Sequence, residues 1–310
     1  MRDQRLAGID IGTLTCRLLI ADLPANGPLK ELRSERRLLR LGEGVDQSKR
    51  LKPEAMDRVA QCLQDWRRVI DGYGVQARTA VATSAVRDAE NRQQFVDRIK
   101  SETGLDVEIL TGEEEAKRTM LGIRSGLPQG ITDLLALDIG GGSTEFILAQ
   151  QGKPPVVRSI DIGVVRLSER LLHHDPPTRE ETGQARVWIR REATEALAAM
   201  PRSAGFTFVG TAGTITSLAA MAQQLPAYEP ARIHNYWLTL ETIADLEQQL
   251  LSRSKAARVG MPGLEKNRED VIASGAIILR TVMNILEERE CLVSDLGLRE
   301  GVLIHLAMSQ

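Results

Sequence analysis

One pattern in this sequence occurs twice. Residues 6–21 read LAGIDIGTLTCRLLIA and residues 134–149 read LLALDIGGGSTEFILA, an offset of 128 positions. Each copy passes from an apolar strand through Asp-Ile-Gly and a few small residues into a second apolar strand, the pattern of two strands around a turn. Two hairpins can share such wording by chance. A repeat at one domain length points instead to two structurally related domains, each opening with the same hairpin.

The remaining pattern fits two domains. A chain of 310 residues exceeds one ordinary core and suits two domains of about 150 residues each. The spacing predicts a strand pair at about 29–42, a helix over 53–70, a strand at 77–83, a helix at 91–103, a strand at 106–110 and a helix over 112–126. The second half predicts strands at 156–165 and 206–211, and helices at 178–199, 214–224, 239–251 and 267–289. Segment 225–235, with Pro226 and Pro230, reads as a loop. Gly and Pro in segment 125–132 mark the boundary, giving domains 1–126 and 127–298, with a helix near 299–310 packing back on the first. Mixed alternation in both halves predicts two α/β domains facing a cleft.

Composition excludes several classes. A net charge of -2 gives no overall positive field, and 3% aromatics leave few stacking platforms, so nucleic acid is not an expected partner. Cys16, Cys62 and Cys291 are widely spaced without a CxxC, which argues against a disulfide framework or zinc cluster. The sequence enters a strand pattern at once, and no apolar run has membrane-span length, so a cytoplasmic protein without a membrane partner is expected. A homodimer is the commonest assembly for such a chain.

The motif with the most chemistry is Asp138-Ile-Gly140-Gly141-Gly142-Ser143-Thr144-Glu145. Three glycines let the backbone approach a ligand closely and turn several N–H groups toward one point, and Ser143 and Thr144 add hydroxyls. A hairpin returns Asp138 and Glu145 toward each other, and two carboxylates beside a phosphate require a cation between them. A plain turn with incidental acids would need fewer glycines. Asp10-Ile-Gly12-Thr13-Leu14-Thr15 is the weaker copy, a turn or a second phosphate clamp. Gly210-Thr211-Ala212-Gly213-Thr214 links a strand to a helix N-terminus, a third candidate anion loop. There is no GxxxxGK[ST], GxGxxG or GxSxG, so P-loop, dinucleotide-fold and α/β-hydrolase readings lose their support.

Other features are ambiguous by themselves. Arg87, after a strand, either binds phosphate bidentately or is a surface arginine paired with Asp88 or Glu90. Glu113, Glu114 and Glu115 open a helix, where acids favour the macrodipole whatever else they do. Arg33, Arg36, Arg37 and Arg40 could receive a polyanion, or form a solvated strand face balanced by Glu31, Glu35 and Glu43. His173-His174-Asp175 is followed by two prolines and reads as a loop.

In order and wording, these motifs resemble the exopolyphosphatase / guanosine pentaphosphate phosphohydrolase (Ppx/GppA) family. The resemblance spans nearly the whole chain. It includes DIGTLTCRL at 10–18, RLGEGV at 40–45, ATSAVRDAEN at 82–91, ILTGEEEA at 109–116, DIGGGSTE at 138–145 and SIDIGVVRL at 159–167. It continues through GTAGT at 210–214, IHNYWLT at 233–239, REDVIASGAIIL at 268–279 and SDLGLREGVL at 294–303. The resemblance implies two ribonuclease-H-like domains of the actin/Hsp70/sugar-kinase superfold around a central cleft. It also implies release of terminal phosphate from polyphosphate or guanosine pentaphosphate, with Mg²⁺ or another divalent cation. Carried over to matching positions, it makes Glu115 the catalytic base, Asp138 a metal ligand and Glu145 the second acid of that loop. Arg87 and the backbone around Gly140, Gly141, Gly142 and Ser143 become phosphate contacts, and Asp10 heads the first phosphate loop. The family commonly has Ser-Asn-Ser where this chain has Thr13-Leu14-Thr15. Longer members continue after the GLREG element into an HD-like helical extension, which is not expected here. An ATP-dependent kinase of the same superfold and a non-catalytic alarmone or nucleotide sensor are the alternatives.

Overall fold

The first strand is apolar almost throughout because both of its faces are covered. In the computed structural model, which describes residues 4–24, 27–201 and 205–309, β1 (Gln4–Ile11) and β2 (Thr15–Leu23) form an antiparallel hairpin extended by β3 (Lys30–Leu38). The chain then passes through α1 (Val45–Ser48) and α2 (Pro53–Gly72) to β4 (Ala77–Ala82), parallel to β1. Next come α3 (Ser84–Arg87), α4 (Arg92–Thr103), β5 (Val107–Ile109), parallel to β4, and α5 (Gly112–Gly126). The sheet order is β3-β2-β1-β4-β5.

The same plan recurs. The hairpin of β6 (Leu134–Ile139) and β7 (Thr144–Ala149) is extended by β8 (Val156–Ile160), and α6 (Val164–Leu171) and α7 (Arg179–Ala198) lead to β9 (Thr207–Thr211), parallel to β6. Beyond β9 come α8 (Ala212–Ala222), α9 (Pro230–Ile233), β10 (Trp237–Thr239), α10 (Leu240–Leu251), α11 (Lys255–Arg258), α12 (Ile272–Leu286) and β11 (Glu290–Val293). The sheet runs β8-β7-β6-β9-β11, with β10 added antiparallel at the far edge. Its first five strands repeat the order of the first sheet. Three antiparallel strands succeeded by parallel neighbours of the first is the ribonuclease-H-like order, so this is an α/β fold of the actin/Hsp70/sugar-kinase type. A last helix, α13 (Leu298–Met308), belongs to the first sheet. The chain divides into unit 1, Met1–Gly126 with Leu296–Gln310, and unit 2, Leu127–Asp295.

Several elements differ from their sequence pattern. The expected strand pair at 29–42 is the single strand β3, whose chain turns to bond the first hairpin's loop. The expected strand 156–165 ends at Ile160, and Val164 begins a helix. The helix expected over 267–289 is Ile272–Leu286, succeeded by β11, and the expected loop 225–235 contains the single turn α9. The arginine-rich strand face is locally neutralised: Arg33 and Arg37 lie 2.7 and 3.7 Å from Glu35.

Period-two alternation sorts the core of unit 1. Ala7, Ile9 and Ile11 share one cluster with Trp66 of α2 and Phe95 of α4, whereas Leu6 packs with Leu303 and Ala307 of α13. Helices α5 and α13 meet backbone to backbone. A Cβ on Gly301 would lie 1.7 Å from the carbonyl oxygen of Arg118, and one on Gly122 1.8 Å from that of Gly297. Gly183, inside α7, has open space around it. Gly301→Ala should therefore cost about 3 kcal/mol or more, as for overpacking without a side chain to yield. Gly183→Ala should add about 0.5–1 kcal/mol through helix propensity. Urea unfolding midpoints of the two variants should move in opposite directions.

Glu181 anchors the start of α7. Its carboxylate accepts from the backbone N–H of His173, His174 and Thr178 and lies 2.9 Å from His174 Nδ1. Burial alone would raise its pKa, but the His174 ring and these N–H groups bring it down to about 2. A depressed carboxyl stabilises the fold above its unfolded value and loses that contribution as pH falls through the folded value. Glu181→Gln should lower the melting temperature at neutral pH. The gap to wild type should close between pH 4.5 and about 2.

Candidate active site

Within each unit, the residues singled out by sequence sit at the carboxyl ends of the parallel strands, where open α/β sheets place their ligands. In unit 1 these are the turn after β1, helix α3 after β4, and the start of α5 after β5.

The start of α5 separates three adjacent glutamates. Glu113 is 67% exposed and pairs with Lys117 at 2.7 Å. The Glu114 carboxylate accepts from the Thr111 N–H at 2.9 Å and hydroxyl at 2.8 Å, while the Thr111 hydroxyl accepts from the Glu114 N–H. That is a capping box, and the Thr111 backbone bond leads in holding the Glu114 carboxyl below its ordinary pKa. Glu115 alone turns inward. It is 8% exposed, and its Oε2 accepts from Arg87 Nη1 at 3.0 Å. Arg87 also donates to the carbonyl of Leu110 at 3.1 Å, and its Nε lies 4.0 Å from Asp88. The guanidinium thus joins the ends of β4 and β5 and fixes the orientation of the Glu115 carboxylate. Sequence reasoning left Ser84 unassigned. Its hydroxyl is buried in α3 without a hydrogen-bond partner, a polar group with unused capacity.

The two hairpin loops share one internal bond. Gly12 N–H donates to Thr15 O at 3.0 Å, and Gly140 N–H donates to Ser143 O at 3.0 Å, each pair related by the 128-position offset. In both, loop carbonyls are held by the segment after the third strand. The Leu39 and Arg40 N–H groups donate to Leu14 O, each at 3.0 Å, and Gly42 N–H to Thr13 O at 2.9 Å. In unit 2, Val164 N–H donates to Gly140 O at 3.0 Å and Val165 N–H to Gly141 O at 2.8 Å. Arg166 Nε donates to Gly142 O at 2.8 Å. The glycines behind these loops have a steric reason. A Cβ on Gly42 would lie 2.3 Å from Thr13 Cγ2, and one on Gly163 2.4 Å from the Gly141 carbonyl. Leu14 is buried, at 5% exposure.

The register sets the acids of unit 2. Asp138 and Glu145 are direct cross-strand partners, as Asp10 and Arg17 are in unit 1. Directly opposed residues project from the same face of the sheet. Asp138 and Glu145 are 9% and 1% exposed, and the Ser159 hydroxyl donates to Glu145 at 2.8 Å. Two like charges side by side at that burial suit a cation. Among the described residues no group of three or more His, Cys, Asp or Glu forms a metal cage. Mg²⁺ seldom needs one, since one or two carboxylates, water and substrate phosphate complete its shell.

The third loop, after β9, serves packing as well. A Cβ on Gly210 would lie 2.6 Å from Cys291 Sγ, and the Arg268 guanidinium lies over Gly213. Thr214 packs against Gly275 of α12, and Ala212 adopts φ 71, a left-handed conformation that costs a non-glycine residue energy. Thr144 donates its hydroxyl to Ile162 O at 2.5 Å. All three cysteines are free and buried, and burial drives the Cys62 thiol up to about 12, so none is a nucleophile at neutral pH. The HHD segment is a loop, with His174 beside Glu181 and Asp175 accepting from the Lys255 N–H. No helix among the described residues is long and apolar enough to cross a membrane.

Residues 19–310 match the Ppx/GppA phosphatase family. The chain is 37% identical over 317 aligned positions to Exopolyphosphatase 2 of Mycobacterium tuberculosis, covering 98% of both proteins. The crystal structure of the Aquifex aeolicus Ppx/GppA family member superposes with TM-score 0.83 at 34% identity, covering 99% of this chain and 98% of that one. An exopolyphosphatase from Cytophaga hutchinsonii superposes with TM-score 0.89 at 29% identity, with the same coverage. With its repeated hairpin loops, its inward glutamate and these relatives along its full length, the chain belongs to the Ppx/GppA phosphatase family.

Proposed function

We propose that this protein releases orthophosphate from the end of a phosphoanhydride chain, with inorganic polyphosphate as the first substrate and guanosine pentaphosphate as the second. The observation that carries the reading is the Arg87–Glu115 pair, which selects one of three adjacent glutamates and holds it buried at a strand terminus. The ordering of substrates rests on the relatives called exopolyphosphatases.

Hydrolysis needs an aligned water and relief of negative charge on the transferring phosphoryl group. Glu115 orients a water and accepts its proton as the oxygen attacks the terminal phosphorus. The bridging P–O bond breaks, and the shortened chain leaves on its oxygen. Arg87 contacts phosphate oxygens while keeping Glu115 in place. The backbone N–H groups of Gly141, Gly142 and Ser143 hold the oxyanions, while the Thr144 hydroxyl, bonded to Ile162 O, supports the loop from behind, and the loops Gly12–Thr15 and Gly210–Thr214 supply further contacts. Asp138, with Glu145 beside it, would hold Mg²⁺ or another divalent ion, which supplies charge neutralisation when bound. Asp10 heads the first loop.

Glu115→Gln should preserve the melting temperature and lower turnover by roughly 10²–10⁴, the range for losing a general base. Near-normal phosphate release would remove Glu115 from that role. Asp138→Asn should raise the divalent-ion concentration needed for half-maximal rate, and an unchanged requirement would remove Asp138 as a ligand. The assay should compare polyphosphates with guanosine pentaphosphate. A kinase of this superfold would instead form ADP from ATP only with an acceptor, and a sensor would bind without turnover.

A further inference from the structure

The motif SIDIGVVRL contributes no residue to the proposed chemistry, yet it lies directly behind the loop that does. A trans peptide points its C=O and its own N–H in opposite directions. A bond to the carbonyl of Gly140 therefore aims the N–H of Gly141. Likewise Gly141 O aims the Gly142 N–H, and Gly142 O aims the Ser143 N–H. All three carbonyls accept from one segment: Gly140 O from Val164 N–H, Gly141 O from Val165 N–H, and Gly142 O from the Arg166 side chain. The three amides thus turn away from α6. Among the described residues none of them donates to another protein group.

The N-terminus of α6 is accordingly not an anion site. Its first N–H groups, which a helix leaves without internal partners, are used on the loop. They reach Gly140 and Gly141 but not Gly142, whose carbonyl is held by Arg166 Nε at 2.8 Å. In unit 1 the matching carbonyl, Leu14 O, is held by two backbone N–H groups, those of Leu39 and Arg40, and needs no side chain. Arg166 is 6% exposed, and Asp161 stands 4.0 Å from it while itself exposed. A guanidinium on a carbonyl makes a charge-assisted bond that polarises the peptide, making the Ser143 N–H a stronger donor.

We infer that Arg166 is a positioning residue of the phosphate site: by holding the Gly142 carbonyl it aims and polarises the Ser143 amide toward a phosphate oxygen, with Gly163 keeping α6 close enough for the contact. This rests on the proposed reading of the Gly140–Gly142 loop as a phosphate cradle, but not on the identity of the base or metal.

Two readouts test it. In phosphate release from tripolyphosphate, Arg166→Met should lower kcat/KM by roughly 10–10², somewhat less than deleting an oxyanion donor outright. Arg166→Lys should recover little, because an ammonium lacks the planar Nε–H. In Arg166→Ala, millimolar guanidinium should restore part of the rate where sodium does not. A purely structural arginine would show neither pattern. Unchanged kcat/KM in Arg166→Met, or a folded Arg166→Ala that guanidinium does not rescue, would overturn the inference.

The second readout needs no turnover. In Glu115→Gln, titration with tripolyphosphate should shift the backbone amide resonances of Gly141, Gly142 and Ser143. Adding Arg166→Met should diminish the Ser143 shift most. Amides that do not respond in Glu115→Gln would overturn the inference even in an active enzyme. Amides that respond in a protein without hydrolytic turnover would uphold the cradle while the hydrolase reading fails. If Arg166→Met does not fold, Gly163→Ala, which drives a methyl into the Gly141–Gly142 peptide, should lower the Ser143 response with Arg166 intact.

Discussion

A peptide group cannot turn its oxygen without turning its N–H, and both hairpin loops use that constraint in the same way. Each loop closes on one internal bond, from Gly12 to Thr15 or from Gly140 to Ser143, and each is held from behind by the segment after the third strand. The holding segment must come within backbone contact, which explains Gly42 and Gly163 better than turn geometry does. The third strand of each sheet therefore matters less for its own pairing than for where it delivers the chain. Its return path is the surface on which the loop is set.

The copies differ where charge is concerned. Opposite Asp10 the sequence places Arg17, and opposite Asp138 it places Glu145. The first pairing joins an acid to a base, and the second sets two acids side by side. One hairpin pattern thus carries two different cross-strand pairs behind the same loop.

Much of this was legible in the sequence because repetition and period-two patterning are strong signals. The hairpins, α2, α4, α5, α7 and α10 lie close to their expected bounds. The failures have particular causes. Residues 156–165 are rich in Val and Ile and read as strand, but Gly163 packs closely on the neighbouring loop and the N–H groups of Val164 and Val165 bond it, and tertiary contact prevails over propensity. β10 is only three residues long and leaves little periodic trace. Sequence alone also could not say which of Glu113, Glu114 and Glu115 turns inward. The decision lies in a Thr111 cap that claims Glu114 and an arginine 28 positions earlier that claims Glu115. Arg166 went unassigned for a related reason, since its partner is a backbone oxygen that no residue pattern displays.

The helix that covers one face of the first sheet is encoded after all of unit 2. On a ribosome, the strands carrying Leu6 and Leu19 emerge long before Leu303 and Ala307 exist to cover them. Roughly half of the protein is translated between the two sets of residues that make this cluster. Maturation of unit 1 is in that sense a late event of synthesis, although its strands are the first to be made.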